Sequence, residues 1–281
     1  MSARDHDNLS TQAVASARSY WHGVYSSFEE AQGSRDVFDG QHWRERLVEK
    51  FPLHSGAAQS TPDPIKLTDA RLKQVLETAI DSRSGDARDF PIRILDFGGG
   101  IGATYAKIRS NVGKAIRLDY RVVERPSICL EGRSQFRGDD EIKFFDSLAS
   151  AAASITSIDL VLAASSLHYV SDWQGLIAQF ASLRPRWLLL IDIPAGNILA
   201  SFVTLQEYFG HNIPVWFWRL DDLIACCARH DFVAVSREMN GPSHANLEKL
   251  PMDGLPENFR IQGFWNLLFE PSKSHCQSAG A

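Results

Sequence analysis

From Pro91 onward, short apolar runs alternate with amphipathic stretches along the chain. Ile92 to Phe97, Leu118 to Glu124, Ile142 to Phe145, Ile158 to Ala164, Trp187 to Ile193, Phe232 to Arg237 and about Ile261 to Phe269 have strand length and strand composition. Helical patterns run from Ala103 to about Val112, from the end of the fourth strand through Leu183, and from Leu220 to His230. Strands alternating with helices predict an α/β, doubly wound sheet of seven strands, with its ligand at the carboxyl ends of the strands. Ahead of it, the head segment Tyr20 to Ala31 and helical patterns over Trp43 to Phe51 and Leu67 to Ile80 predict an N-terminal helical cap over residues 18–90. The sheet domain is expected over 91–270, with an aromatic and polar insertion, 194–219, folding over the strand ends as a substrate lid. Residues 1–17 and 271–281 are polar and are expected to be flexible.

The first strand runs into Asp96-Phe97-Gly98-Gly99-Gly100-Ile101-Gly102 and then into a helix. Residues without Cβ allow a tight turn and close approach to a ligand, and the helix that follows points its positive end at it. A dinucleotide fingerprint would use Gly98, Gly100 and Ala103, so the glycines alone leave two cofactor classes open. Asp96 and the extra glycine, Gly102, tilt the choice, because a carboxylate is poorly placed beside a pyrophosphate. Glu124 ends the second strand roughly 20 residues after the loop, where a carboxylate accepts ribose hydroxyls. Asp146 and Ser147, ending the third strand, are expected at the adenine edge.

Composition narrows the partners. With 44% hydrophobic and 22% charged residues and a formal net charge of −5, the chain has ordinary globular character and no basic footprint for nucleic acid. No apolar run approaches the roughly 18 residues that span a bilayer, so no membrane insertion is expected. The four cysteines, Cys129, Cys226, Cys227 and Cys276, show no paired spacing, which favours a reducing cytoplasm. A small-molecule substrate is the expected partner, and a homodimer stays open.

D-x-G-x-G-x-G resembles the first motif of the class I S-adenosylmethionine-dependent methyltransferases, and about Ile92 to Phe269 resembles that Rossmann-like domain as a whole. The resemblance implies S-adenosylmethionine as cofactor, held by Asp96, Gly98, Gly99, Gly100, Gly102 and Glu124. It extends along Ala103-Thr104-Tyr105 and to Ser165-Ser166-Leu167-His168-Tyr169, which adds Tyr105 and Ser165 to the expected cofactor contacts. More narrowly, Trp21-His22-Gly23-Val24-Tyr25, Val122-Val123-Glu124 and the stretch from Thr204-Leu205-Gln206 to Pro214-Val215-Trp216 resemble a bacterial methyltransferase family. That family is connected with surface-polysaccharide or secondary-metabolite pathways, and the resemblance implies no defined substrate. Where an Asp-Arg pair would end the fifth strand, this chain has Asp192-Ile193-Pro194. Any role of that arginine is not carried over.

His168 is the candidate catalytic base. It follows the fourth strand, and His168 to Asp172 resembles the His-x-x-Ser-Asp segment of small-molecule O-methyltransferases, in which the histidine is the base. An imidazole with an ordinary pKa of about 6.5 keeps a neutral fraction at cytosolic pH. The same position also suits a histidine that merely bonds backbone at a helix entry. His211 is a second candidate base, or a structural histidine of the insertion. Tyr25, Tyr169, Gln206 and Trp216 are candidates for the acceptor pocket, while Trp21, Tyr25 and Phe28 either close over the cofactor or, spaced as helix core residues are, form the apolar face of the cap. Ala163-Ala164-Ser165-Ser166 lacks the Asn/Asp-Pro-Pro-aromatic run of amide- and adenine-methylating enzymes. It also lacks a carboxylate at Ala164, where catechol-type enzymes hold magnesium. Metal-independent transfer to a hydroxyl oxygen is therefore expected. A nicotinamide-dependent oxidoreductase and a noncatalytic cofactor-binding protein on the same fold are the rivals.

Overall fold

The computed structural model describes residues 20–50, 70–81, 90–112, 116–208, 210–240 and 250–272. The expected polar termini therefore lie almost wholly outside the described residues, as do Cys276, Phe51 and the first turn of the helix expected from Leu67. In chain order the strands are β1 (Trp21–Tyr25), β2 (Ile92–Phe97), β3 (Leu118–Val123), β4 (Ile142–Phe145), β5 (Leu160–Ala164), β6 (Trp187–Gly196), β7 (Phe202–Tyr208), β8 (His211–Arg219), β9 (Phe232–Asn240) and β10 (Phe264–Pro271). The helices are α1 (Phe28–Ala31), α2 (Gln41–Lys50), α3 (Ala70–Asp81), α4 (Ala103–Val112), α5 (Pro126–Gln135), α6 (Leu148–Ala153), α7 (Trp173–Ser182) and α8 (Leu220–Arg229).

Seven of these strands make the expected sheet, in the order β4-β3-β2-β5-β6-β10-β9. β4, β3, β2, β5 and β6 run parallel, and β10 is antiparallel to both its neighbours. Chain order reverses between β2 and β5, so the glycine loop leaves β2 at the switch point, where α/β sheets open a crevice. Helices cover both faces, which is why the central strands are nearly continuous apolar runs rather than alternating ones. Successive β2 residues Ile94 and Leu95 are both fully buried but enter different cores. Ile94 packs with Tyr105, Ile108 and Tyr120, whereas Leu95 packs with Trp173, Ile177 and Phe180. Local chemistry sets the helix starts: Asp172 caps α7 by accepting the Gly175 N–H at 2.9 Å, and α5 opens on Pro126, whose missing N–H costs nothing there.

Two expectations need correction. The head segment is not helical from its start, because Trp21–Tyr25 is the strand β1, paired antiparallel with β7. Gly23, at φ +76°, is in the left-handed region, and the Thr204 hydroxyl donates to the His22 carbonyl at 3.0 Å. A partner strand about 180 residues away thus overrides a helical spacing. The N-terminal segment is helical only beyond it, in α1, α2 and α3. The insertion, in turn, is largely a β-hairpin, β7–β8, and its first residues, 194–196, prolong β6. Ala195 and Gly196 pair with Trp218 and Arg219, so a three-stranded antiparallel layer, β1-β7-β8, hangs from the main sheet by one short ladder. Its own core gathers Trp21, Phe202, Ile213, Val215 and Phe217.

Candidate active site

The carboxyl ends of β2, β3, β5 and β6 form the floor of a cleft of about 1360 Å³, and β1, β7, β8 and α2 form its roof. That volume exceeds the 300–1,000 Å³ or so of a single-ligand pocket, which leaves room for a cofactor and an acceptor together.

The floor is built first by the glycine loop. Gly98 lines the cleft at φ +70°, its N–H donates to the Val123 carbonyl at 2.9 Å, and a Cβ there would overlap the Ser166 side chain. A Cβ on Gly99 would overlap the Asp96 carboxylate, whereas one on Gly100, at φ +59°, would have Leu47 as its nearest neighbour at 3.8 Å. The loop backbone is therefore bare on one side and closed on the other. Gly102 has a different duty: at φ +94° it lets α4 approach Phe136, Ile142 and Phe144.

Asp96 is fully buried, and its Oδ2 accepts from the Tyr120 hydroxyl at 2.6 Å. Burial pushes its pKa up to about 7, against the pull of the Tyr120 hydrogen bond and with a further push from the charge of Glu124. Its Oδ1 is buried with no hydrogen-bond partner among the described residues. Glu124 sits on the cleft wall just beyond β3, accepts from the Arg125 N–H at 2.6 Å, and has its pKa raised chiefly by burial. Asp146, beyond β4, also faces the cleft. An orphaned carboxylate oxygen, a bare glycine turn and a second carboxylate on the next strand suit the amino-acid end and the ribose of S-adenosylmethionine. Arg125 also pins the N-terminal segment here, pairing with Asp39 and donating to the Arg35 carbonyl at 3.0 Å.

Beyond β5 the chain makes a single 3-10 turn, Leu167–Tyr169, which turns His168 into the cleft. His168 is only 8% exposed, and its ring lies against Tyr169 with centroids 4.1 Å apart. The Tyr169 hydroxyl donates to Gln206 Oε1 at 2.9 Å, and Gln206 Nε2 donates to the Tyr20 hydroxyl at 3.0 Å. This chain links the floor to the roof. Burial raises the pKa of Tyr169 and of Tyr20, so both phenols stay protonated donors at neutral pH. Phe38 and Trp43 wall the same end, with Phe38 edge-on to Tyr169 at 4.7 Å.

Of the residues expected from the sequence, Gly98, Glu124, Asp146, Ser165, His168, Tyr169 and Gln206 come together in this cleft, with Asp96 beneath the loop. Five do not. Tyr105 is a core residue whose hydroxyl donates to Asp139 at 2.7 Å, because its α4 face points into the sheet. Ser147 caps α6, accepting from the Ser150 N–H. His211 is exposed beside Gly210 at the hairpin turn. Tyr25 packs with Phe28 and Leu205 behind the roof. Trp216 donates to the Ser171 carbonyl and packs on Trp173, and strand alternation puts it on the opposite side from the cleft-lining Val215 and Phe217. Trp43, Arg46, Asp192 and Asn266 line the cleft and were missed as site residues. For Asp192 and Asn266 a signal existed, a polar residue at or near the end of an apolar strand run. The α2 residues had none.

The cradle at the switch point of the sheet β4-β3-β2-β5-β6-β10-β9 belongs to the Rossmann-like fold of the class I S-adenosylmethionine-dependent methyltransferases. The family model described as a methyltransferase domain matches residues 65–237, more than half of the chain, and the chain belongs to that family. Its cofactor is S-adenosylmethionine, and the dinucleotide alternative falls away. Among solved structures the chain is similar to a chain of the complex between the Haloferax volcanii Trm112 methyltransferase activator and a methyltransferase. Identity there is 14%, coverage is 86% of this chain and 98% of that one, and the TM-score is 0.50. It is also similar to magnesium protoporphyrin IX methyltransferase from Synechocystis PCC 6803 with bound S-adenosylmethionine (14% identity, 85% and 95% covered, TM-score 0.45). A third similarity is to an S-adenosylmethionine-dependent methyltransferase from Mesorhizobium loti (13% identity, 70% and 97% covered, TM-score 0.44). At such identities the similarity concerns the fold. No curated protein matches the chain. Among the described residues no helix is long and apolar enough to cross a membrane.

Proposed function

We propose that the protein methylates a hydroxyl oxygen of a small-molecule or sugar-derived acceptor, with His168 as the general base and no metal ion. The observation that carries this reading is the position of His168, a nearly buried imidazole on the cleft wall directly after β5, three residues beyond the Ser165 turn. Asp96 and the loop from Gly98 to Gly100 would hold the amino-acid end of the cofactor, and Glu124 the ribose. When bound, S-adenosylmethionine supplies an electrophilic methyl group on a positively charged sulfur. His168 takes the hydroxyl proton as the acceptor oxygen gains the methyl, a contribution of roughly 10²–10⁴-fold in rate. The roof keeps water out and holds the acceptor in line, which contributes several kcal/mol more. Among the described residues there is no group of three or more His, Cys, Asp or Glu side chains able to hold a metal. The resemblance of the head and hairpin motifs to a family of surface-polysaccharide and secondary-metabolite pathways is the ground for a sugar-derived acceptor.

Calorimetry with S-adenosylmethionine, S-adenosylhomocysteine, NAD and NADP tests the cofactor, with Asp96→Ala as control. Transfer of labelled methyl to hydroxyl acceptors then tests the chemistry. His168→Ala should bind S-adenosylhomocysteine as the parent does and lose roughly 10²–10⁴-fold in turnover. Full turnover in that variant removes His168 as base, and cofactor binding with transfer to no acceptor points to a noncatalytic protein.

A further inference from the structure

Ser165 and Asp192 are the next residues after the last paired positions of β5 and β6, Ala164 and Ile191. Both are non-glycine residues in the left-handed region, at φ +51° and +55°. Such conformations are strained and persist where the surroundings enforce them, often at functional sites. Here the enforcement is visible. The Ser165 N–H donates to the Ile191 carbonyl at 2.9 Å, and the Ser165 hydroxyl donates to Asp192 Oδ2 at 2.9 Å. The pairing of β10 with β6 shifts register between Trp265 and Leu267, opposite Asp192, and the Asp192 N–H donates instead to the side chain of the buried Asn266 at 3.0 Å. Irregularities of this kind re-aim side chains next to active sites. The three residues involved, Ser165, Asp192 and Asn266, all line the cleft.

The arrangement leaves acceptor capacity unused. A carboxylate offers about four lone-pair sites. Among the described residues, the Asp192 carboxylate receives only the Ser165 hydroxyl and pairs with no Lys or Arg. His168, three residues beyond Ser165, lines the same cleft. An unpaired carboxylate facing a cleft rejects phosphates and carboxylates and takes hydroxyl donors. Glu124 and Asp146 lie across the floor, at the ends of β3 and β4, where the cofactor's ribose and base would lie, so Asp192 is the carboxylate left for the acceptor.

We infer that Asp192 recognises the acceptor, its free oxygen taking a hydroxyl adjacent to the one that His168 deprotonates, so that the acceptor carries hydroxyls on neighbouring carbons. This rests on the proposed transfer to oxygen and adds to it the acceptor's second contact. Ser165 and Asn266 act through Asp192 as positioning residues. The shared chemistry, a vicinal diol, occurs on sugar rings and on catechols, and the aromatic walls Phe38, Trp43 and Tyr169 accept either.

The test uses the full chain loaded with labelled S-adenosylmethionine and four probes: methyl α-mannoside, catechol, and the monohydroxy analogues cyclohexanol and phenol. One diol should take the methyl group well ahead of its monohydroxy analogue, and which one does so identifies a sugar or a phenolic acceptor. Asp192→Asn, which keeps the shape, should raise that diol's KM by about tenfold or more, the loss of one hydrogen bond to a charged group, with kcat changed far less. It should leave S-adenosylhomocysteine affinity and the melting temperature as they were, and Ser165→Ala should raise KM less. The inference is overturned if the monohydroxy analogue serves as well as the diol, if neither diol is methylated, or if Asp192→Asn weakens S-adenosylhomocysteine binding as much as it weakens the acceptor. Methylation of phenol or cyclohexanol alone leaves the proposed O-methylation standing without this role for Asp192. Failure of the parent chain to bind S-adenosylhomocysteine sinks the functional reading itself.

Discussion

The two halves of the cleft are built in opposite ways. The cofactor half is one strand, one loop and one helix in succession, Ile92 to Val112, with its key carboxylate fully buried and its turns made by glycine. The acceptor half is assembled from distant pieces: Tyr20 meets Gln206, His22 meets Thr204, Phe38 meets Tyr169, and the β1-β7-β8 layer pairs with the main sheet at Ala195 and Gly196. A site made by local chain geometry tolerates few substitutions but needs little support. A site made by long-range contacts depends on each polar link that holds its pieces in register, and can diverge in acceptor without disturbing cofactor binding.

The sharpest way to break this contrast is at the loop. Gly98→Val forces a β-branched residue into the left-handed region and against Ser166, and should abolish S-adenosylhomocysteine binding in calorimetry. Retained affinity would mean that the cofactor half is less rigid than described. Next in size is Asp96. Its pKa in the folded chain is raised to about 7, so between roughly pH 4 and 7 the folded state holds a proton that the unfolded state has released. The contribution of Asp96 to the stability of the ligand-free protein should therefore be greatest at the acid end of this window and fall, by up to about 4 kcal/mol, as pH rises through it. Asp96→Asn should flatten that slope in urea titrations, and an unchanged slope would assign it to other groups.

In the acceptor half, Gln206→Leu leaves the Tyr20 and Tyr169 hydroxyls without their shared partner. It should cost about 1–3 kcal/mol in thermal or urea unfolding, and raise the acceptor KM more than the cofactor's Kd. An equal loss for both ligands would show the halves to be coupled. The smallest effect belongs to His211→Ala, which touches an exposed residue at the hairpin turn. Stability should move by less than about 0.5 kcal/mol and turnover not at all, in contrast to His168→Ala. A loss of turnover there would bring the hairpin tip into the chemistry.

What could be read from the chain follows the same division. Strands β2 to β6, β9 and β10 stand where apolar runs predicted them, within a few residues, because burial on both faces gives the central strands nearly unbroken apolar runs, while the edge strands β4 and β9 alternate buried and more exposed positions. Asp96, Gly98 and Glu124 were legible for a related reason: a strand–glycine–helix turn positions its own ligands, and a carboxylate ending the next parallel strand falls beside it. Trp21–Tyr25 was misread because its partner strand lies elsewhere in the chain, and Tyr25 and Trp216 were misplaced because the face a strand residue takes depends on which neighbour it pairs with. Tyr105 was misassigned by one helix face. The sequence by itself thus determined the sheet, its switch point and the placing of Asp96 and Glu124 beside the glycine loop, all products of short-range geometry and apolar periodicity. Only the tertiary structure decided the roof, the burial of His168 against Tyr169 and the aim of Asp192 by a strand irregularity opposite Asn266, because each depends on pairing between segments with no local signal of their contact.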